Sequence, residues 1–232
     1  LKARGITVTN TPDVLSDATA ELAMLLMLGA ARGAVAGDRI VRSGAWDSWS
    51  PAFMVGKQLG GARLGIIGMG RVGRAFAAKA RGFEMEIHYF NRSELSPDQA
   101  HGAIYHSTVE SLLGVADFQS LHCPATPETT DLMNTARFGL LPQGAVVVNT
   151  ARGALIDEDA LMAALDSGQV AAAGLDCFKT EPGGNPAFVG YDTIFMLPHI
   201  GSATTKTRDA MGFRALDNLD AFFAGEAPRD AL

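Results

Sequence analysis

Cysteine is scarce in this chain of 232 residues: Cys123 and Cys177 stand alone and far apart. That excludes a disulfide framework and a metal cluster held by cysteines alone. Each follows an apolar stretch, so both are read as buried, reduced thiols in a reducing compartment, with no metal. Long apolar runs are missing too, since the stretch Leu22 to Ala31 is about ten residues, Arg32 follows at once, and a bilayer span needs roughly 20. Basic runs are absent against a net charge of −6, which excludes an extended nucleic-acid surface. There are no repeats or low-complexity segments. The chain opens Leu1-Lys2-Ala3-Arg4 without an initiator Met or a cleavage pattern. No signal peptide and a cytoplasmic location are expected, in a fragment, a processed chain or an incomplete gene.

What is present is a globular composition, 47% hydrophobic and 19% charged, long enough for a good core. Leu64 to Gly73 reads Leu-Gly-Ile-Ile-Gly-Met-Gly-Arg-Val-Gly, with glycines spaced as G-x-G-x-x-G. Between a strand and a helix, Gly68 makes a tight turn, Gly70 lets a pyrophosphate approach the backbone, and Gly73 lets the helix pack on the strand. The phosphates then meet the free N–H groups of the helix N-terminus. The context fits, with strand character at Arg63 to Ile67, helical spacing over Arg71 to Arg81 and a second strand at Met85 to Phe90.

Before that unit, Ile6 to Val8 reads as a short strand, and Val14 to Arg32 as a helix introduced by Thr11-Pro12-Asp13. That helix is apolar nearly all round from Ala23 to Ala31, so it is covered on two sides. Either a second subunit covers it, giving a homodimer through residues 14–32, or it is a core helix of the monomer. Trp46 and Trp49 lie in a loop-like stretch that either anchors the same interface or packs on the chain's own core. Helices are expected near Thr108 to Val115, Asn134 to Leu140, Glu158 to Ser167 and Ala203 to Phe223. Further strands are expected at Asp117 to Leu121, Ala145 to Val148, Ala171 to Leu175 and Thr193 to Leu197. Six near-continuous apolar strands alternating with helices mean an α/β fold, a doubly wound parallel sheet of the Rossmann type.

Ligands of such sheets bind beyond the carboxyl ends of the strands. There stand the glycine loop, Asn91-Arg92-Ser93, His122-Cys123-Pro124, Asn149-Thr150-Ala151-Arg152, Asp176 and Pro198-His199-Ile200-Gly201. An NAD site usually places an acid about 20 residues past the glycines. Here Asn91 and Arg92 hold that place, and a neutral amide beside a guanidinium accepts a 2′-phosphate, which favours NADP over NAD. Otherwise Arg92 is a solvated surface charge.

The glycine loop, Leu121-His-Cys-Pro-Ala-Thr-Pro-Glu-Thr, Val148-Asn-Thr-Ala-Arg-Gly-Ala-Leu-Ile-Asp, Gly174-Leu-Asp-Cys-Phe, Glu181-Pro182 and Pro198-His-Ile-Gly-Ser-Ala together resemble the D-isomer-specific 2-hydroxyacid dehydrogenases over nearly the whole chain. The tryptophan stretch and the short gap from Glu181 to His199 look most like the glyoxylate/hydroxypyruvate reductase branch. The resemblance implies a catalytic set of Arg152, Glu181 and His199. It places Gly68, Met69, Gly70, Arg71, Val72, Gly73, Asn91, Arg92, Ser93, His122, Cys123, Pro124, Thr129, Thr150, Ala151, Arg152, Asp176, His199 and Gly201 at the cofactor, with Asp176 on the nicotinamide carboxamide. Reducing a 2-oxo acid needs a proton on the carbonyl oxygen, which imidazolium can give near neutral pH. A hydrogen-bonded Glu181 favours the charged ring, and the donor fork of Arg152 suits a carboxylate or a carbonyl.

Other roles are open for these residues. Arg152 can pair with Asp157, Asp176 can cap a turn, and His88, His101 and His106 are surface or packing residues. The family's smaller substrate domain flanks the cofactor domain. The resemblance therefore divides the chain into a remnant of it (1–10), a dinucleotide-binding domain (11–205) and a helix returning toward it (206–232). Its N-terminal part is not in this sequence, so the chain is expected to bind cofactor and to turn over slowly or not at all. Related dinucleotide-sensing corepressors offer a second class, a binding protein without turnover. Glu84, where a small residue is usual, and Cys177, where Val is common, depart from the family pattern.

Overall fold

Consecutive valines make the centre of the sheet. In the computed structural model, which describes residues 4–232, Ala145–Asn149 is a strand buried at every position, as a β-branched run between two covered faces should be. The strands are β1 (Arg63–Ile67), β2 (Glu86–Phe90), β3 (Ile104–His106), β4 (Phe118–Leu121), β5 (Ala145–Asn149), β6 (Val170–Leu175) and β7 (Ile194–Met196). All pair in parallel, in the order β3-β2-β1-β4-β5-β6-β7. Ile67 is level with Phe90 on one side and Leu121 on the other. Strand order reverses at β1 and β4, so a crevice opens beyond their carboxyl ends.

The helices are α1 (Ser16–Ala31), α2 (Ala34–Ser43), α3 (Arg71–Arg81), α4 (Pro97–Ala100), α5 (Val109–Leu113), α6 (Thr135–Phe138), α7 (Glu158–Asp166) and α8 (Thr205–Phe223). Side chains alternate between the two faces of the sheet with period two. Ile66, Val146 and Val148 pack under α1 and α3 with Leu26, Met27 and Phe76. Ile67, Val147 and Leu175 pack on the other face with Leu112, Phe138 and Leu161 of α5, α6 and α7. Each such fully buried side chain contributes about 1.5–3 kcal/mol.

Several expectations are corrected. The sheet has seven strands, not six; the addition is β3, a short edge strand with Ile104 exposed and no apolar run to announce it. Ile6 to Val8 is not a strand, since only Thr9 forms an isolated antiparallel bridge, to Ala231. Residues 1–3 of the segment 1–10 lie outside the described residues. The first long helix ends at Ala31, and beyond Gly33, at φ 61°, α2 departs at 65°.

The cover of α1 is the chain's own sheet and α3. Ala20, Ala23, Leu26 and Met27 are fully buried, so the core-helix alternative holds and no second subunit is needed to explain its composition. The tryptophans go the other way: Trp46 is 57% and Trp49 74% exposed, so they do not pack on the core. Cys177 is buried, but Cys123 only in part. Among the histidines, His88 is buried, with Nδ1 2.9 Å from His106 Nε2 and Nε2 2.6 Å from Glu86 Oε1, a packing role.

The amino edge of the sheet is tied down by charge. Lys57 Nζ donates to the carbonyls of Asp117 and Gly144, both at 3.1 Å. Both oxygens of Asp117 accept from Arg63 at 3.0 and 3.1 Å. The polar residues that face outward at the opposite, carboxyl edge are thereby carried on a fixed frame. No single helix among the described residues is long and apolar enough to cross a membrane.

Candidate active site

At the end of β1, Gly68 takes φ +95°, and a Cβ there would stand 2.5 Å from Cys123 N. Only glycine meets both conditions. A Cβ on Gly73 would overlap the Gly68 carbonyl, whereas one on Gly70 meets nothing within 4 Å. The outer glycines are thus required by the protein's own packing, and the middle one borders open space. Gly70 is the N-cap of α3, and no side chain caps the helix. Its free N–H groups, with Arg71 and Val72, face a cleft of about 930 Å³. A helix N-terminus left bare beside a glycine that costs the fold nothing fits a dinucleotide pyrophosphate.

The cleft gathers most of the expected cofactor residues: Arg71, Val72, His122, Cys123, Pro124, Thr150, Ala151, Arg152, Asp176, His199 and Gly201 all line it. Thr150 Oγ1 is buried there without a hydrogen-bond partner among the described residues, an orphan that a bound ligand would satisfy. Arg71 is ion-paired with Asp13. Asn91 is turned inward, its Oδ1 accepting from Met69 N at 2.7 Å, so this amide holds the glycine loop. Arg92 and Ser93 are exposed beyond it. Thr129 lies off the cleft and holds its own loop, donating to the Pro124 carbonyl at 2.8 Å. His122 bonds to Ser120 Oγ at 2.8 Å and packs on Phe76. Burial pushes its ring down to about 4, so it is neutral at working pH.

The last three strands carry the ionisable groups. After β5, buried Asn149 donates from Nδ2 to the Arg152 carbonyl at 2.8 Å, and its Oδ1 accepts from Ala151 N at 3.0 Å. Asn149 thereby sets the turn that presents Arg152, a positioning role that the sequence reading missed. Its signal was an amide ending an otherwise apolar buried strand. Arg152 makes no ion pair with Asp157, which caps α7 instead. After β6, Asp176 is 1% exposed, and its two oxygens accept from Ile200 N and Gly201 N, each at 2.8 Å. Burial raises its carboxyl, against the pull of those two donors. These contacts are those of a turn cap, and they fix the backbone that follows β7.

That backbone holds His199 at φ 54°, in the left-handed region that few residues other than glycine enter. Its Nδ1 lies 2.6 Å from Glu181 Oε2, while Glu181 Oε1 accepts from Phe178 N at 2.8 Å. Burial alone would raise the Glu181 carboxyl, but His199, the Phe178 N–H and the charge of Arg152 bring it below the usual carboxylate range. A carboxylate on Nδ1 fixes the tautomer and leaves Nε2 for chemistry. Glu181 itself lines a second cleft of about 650 Å³, and His199 borders both. Thr19 of α1 and Arg208 of α8 also line the first cleft, and the sequence reading passed over both.

Residues 24–201 match the model of the D-isomer specific 2-hydroxyacid dehydrogenase, NAD binding domain. The chain belongs to the D-isomer-specific 2-hydroxyacid dehydrogenase family. It is 46% identical over 226 residues to a glycerate dehydrogenase of Hyphomicrobium methylovorum, covering 97% of this chain and 70% of that protein. It is 44% identical over 229 residues to a glyoxylate reductase of Pyrococcus horikoshii, covering 97% and 69%. Among solved structures, an NADPH-dependent glyoxylate/hydroxypyruvate reductase of Sinorhizobium meliloti in complex with NADP and malonate superposes with a TM-score of 0.90. It is 33% identical, with 100% of this chain and 72% of that one covered. NAD or NADP fits the glycine loop and α3 of this dehydrogenase domain.

Proposed function

We propose that the chain serves the reduction of a small 2-oxo acid, of the glyoxylate or hydroxypyruvate type, to a D-2-hydroxy acid, with NADPH preferred over NADH. The observation that carries this is the Glu181–His199 pair, at 2.6 Å, on the rim of the cleft that α3 and Arg152 also face. Bound NAD(P)H supplies the hydride. Arg152 meets the substrate carboxylate or polarises the carbonyl with its fork of donors. His199 gives the carbonyl oxygen a proton from Nε2, and Glu181 on Nδ1 stabilises the imidazolium before the transfer. Asn149 and Asp176 hold the two turns on which Arg152 and His199 stand. The relatives' names support the substrate class, and Asn91-Arg92-Ser93 at the end of β2 supports NADP.

Fluorescence titration with NADPH and NADH, followed by glyoxylate or hydroxypyruvate addition, tests this. Arg92→Ala is expected to weaken NADPH about 10- to 100-fold, the value of one charge-assisted hydrogen bond, and to leave NADH unchanged. An equal effect on both nucleotides removes the NADP preference. Failure of the wild type to bind either nucleotide overturns the reading of Gly68, Gly70 and Gly73.

We also propose that the chain pairs with a second copy through Trp46 and Trp49, and that α8 turns toward a substrate domain. Exposed Trp46, Trp49 and Val55 support the first, and exposed Phe213, Leu216 and Phe223 on α8 the second. In sedimentation equilibrium, Trp46→Ser/Trp49→Ser is expected to turn a dimer into a monomer. Association that survives this change but is lost in Phe213→Ser/Leu216→Ser would instead assign the contact to α8.

A further inference from the structure

Cys177 has no part in the proton and hydride chemistry, yet it stands beside the two groups that do. Its Sγ, a carboxylate oxygen of Glu181 and a ring nitrogen of His199 all lie within 4.8 Å of one another. We propose that these three form a binding site for a thiophilic divalent cation of the zinc class, and that the bound cation blocks proton transfer by His199. The blocking rests on the reductase reading, whereas the binding does not.

The donor set suits that class of ion. Thiolate and imidazole select zinc over magnesium or calcium, and three protein ligands leave a fourth position for water. The fold brings the donors together: Cys177 and Glu181 follow β6, His199 follows β7, and these strands are neighbours. Two of the donors are already held, Cys177 by the Ala151 carbonyl at 3.4 Å and Glu181 by Phe178 N. Tetrahedral zinc needs donors about 3.5 Å apart, so the Glu181–His199 pair, at 2.6 Å, has to part to admit the cation, with the Cys177 Sγ within 4.8 Å of both. The His199 side chain is 48% exposed and has room to turn. Two ligand charges, from thiolate and carboxylate, balance the cation, with Asp176 behind them and Arg152 opposing.

Binding is an exchange of ions. The cation enters and the Cys177 thiol loses its proton, as does the imidazolium wherever the ring is charged. With the cation on one ring nitrogen, the other carries the ring's single remaining N–H, which is no longer the acidic proton of an imidazolium. The site therefore makes occupancy by the cation and proton donation mutually exclusive.

Titrating the full chain with Co²⁺ tests this without reference to activity. One equivalent is expected to bring up a thiolate-to-cobalt charge-transfer band in the near ultraviolet, which Zn²⁺ then displaces. Cys177→Val should lose the band and bind Zn²⁺ at least about 100-fold more weakly, beyond what outer-shell losses cost. Its thermal unfolding and NADPH titration would show that the fold is intact. Cys123→Ser should keep the band. A wild type with no band, or a band that persists in Cys177→Val, overturns the proposal. Zn²⁺ inhibition of 2-oxo acid reduction that is equal in wild type and Cys177→Val overturns the blocking. A Co²⁺ band in a chain that binds neither NADPH nor NADH keeps the metal site and removes the reductase reading.

Discussion

His199→Gln is expected to lower reduction of the 2-oxo acid by about 10²- to 10⁴-fold, the usual value of a positioned general acid, while NADPH binding stays within about twofold. Glutamine keeps a hydrogen-bonding group near Glu181 but carries no transferable proton. Stopped-flow oxidation of NADPH checks the first half and a fluorescence titration the second. A variant that keeps a third of the wild-type rate would remove His199 from the proton's path. Glu181→Gln should fall less far, because the ring keeps its place after β7 but loses the charge on Nδ1. The acid limb of the pH profile has a sign. The Glu181 carboxyl sits below its usual 4.5, so the carboxylate's support is fully present above that value and is lost only as the pH falls through the lowered one. An acid limb set by Glu181 therefore lies below 4.5 in the wild type and disappears in Glu181→Gln.

What was readable in the sequence divides along a physical line. Strand ends were legible because a buried parallel strand is a continuous apolar run, and the first polar residue after it has to lie at the sheet's carboxyl edge. His122, Asn149, Asp176 and His199 were all placed that way. The partners of these residues were not legible. Nothing in composition tells that Asn91 turns its oxygen back to Met69, or that both oxygens of Asp176 are taken by the N–H groups of Ile200 and Gly201. The helix α1 was legible as buried but not as buried by its own sheet, since an apolar cylinder looks the same against a subunit as against a strand. The edge strand β3 and the helix α2 escaped for the opposite reason. Neither has a buried residue, and both leave an apolar side chain in water, Ile104 and Val41, so no continuous apolar run announces them.

The same distinction separates the glycines of the nucleotide loop, and there it predicts opposite failures. Gly73→Ala places a Cβ into the Gly68 carbonyl, which the rigid end of β1 cannot yield. The expected loss is about 1–3 kcal/mol, as for overpacking elsewhere, read as a lower urea midpoint, with weaker NADPH binding following from the displaced loop. Gly70→Ala meets no atom within 4 Å, and its extended backbone is open to any residue. The unfolding midpoint should therefore stay at the wild-type value. Its methyl group would instead stand where a pyrophosphate must come close to the N-terminus of α3, so NADPH affinity should fall by at least about tenfold. A stable Gly70→Ala that binds NADPH as the wild type does would mean that the bare helix end is not where the phosphates sit. A destabilised one would mean that Gly70 serves the fold, as its two neighbours do. Only loss of affinity at constant stability assigns the open space beside Gly70 to the cofactor.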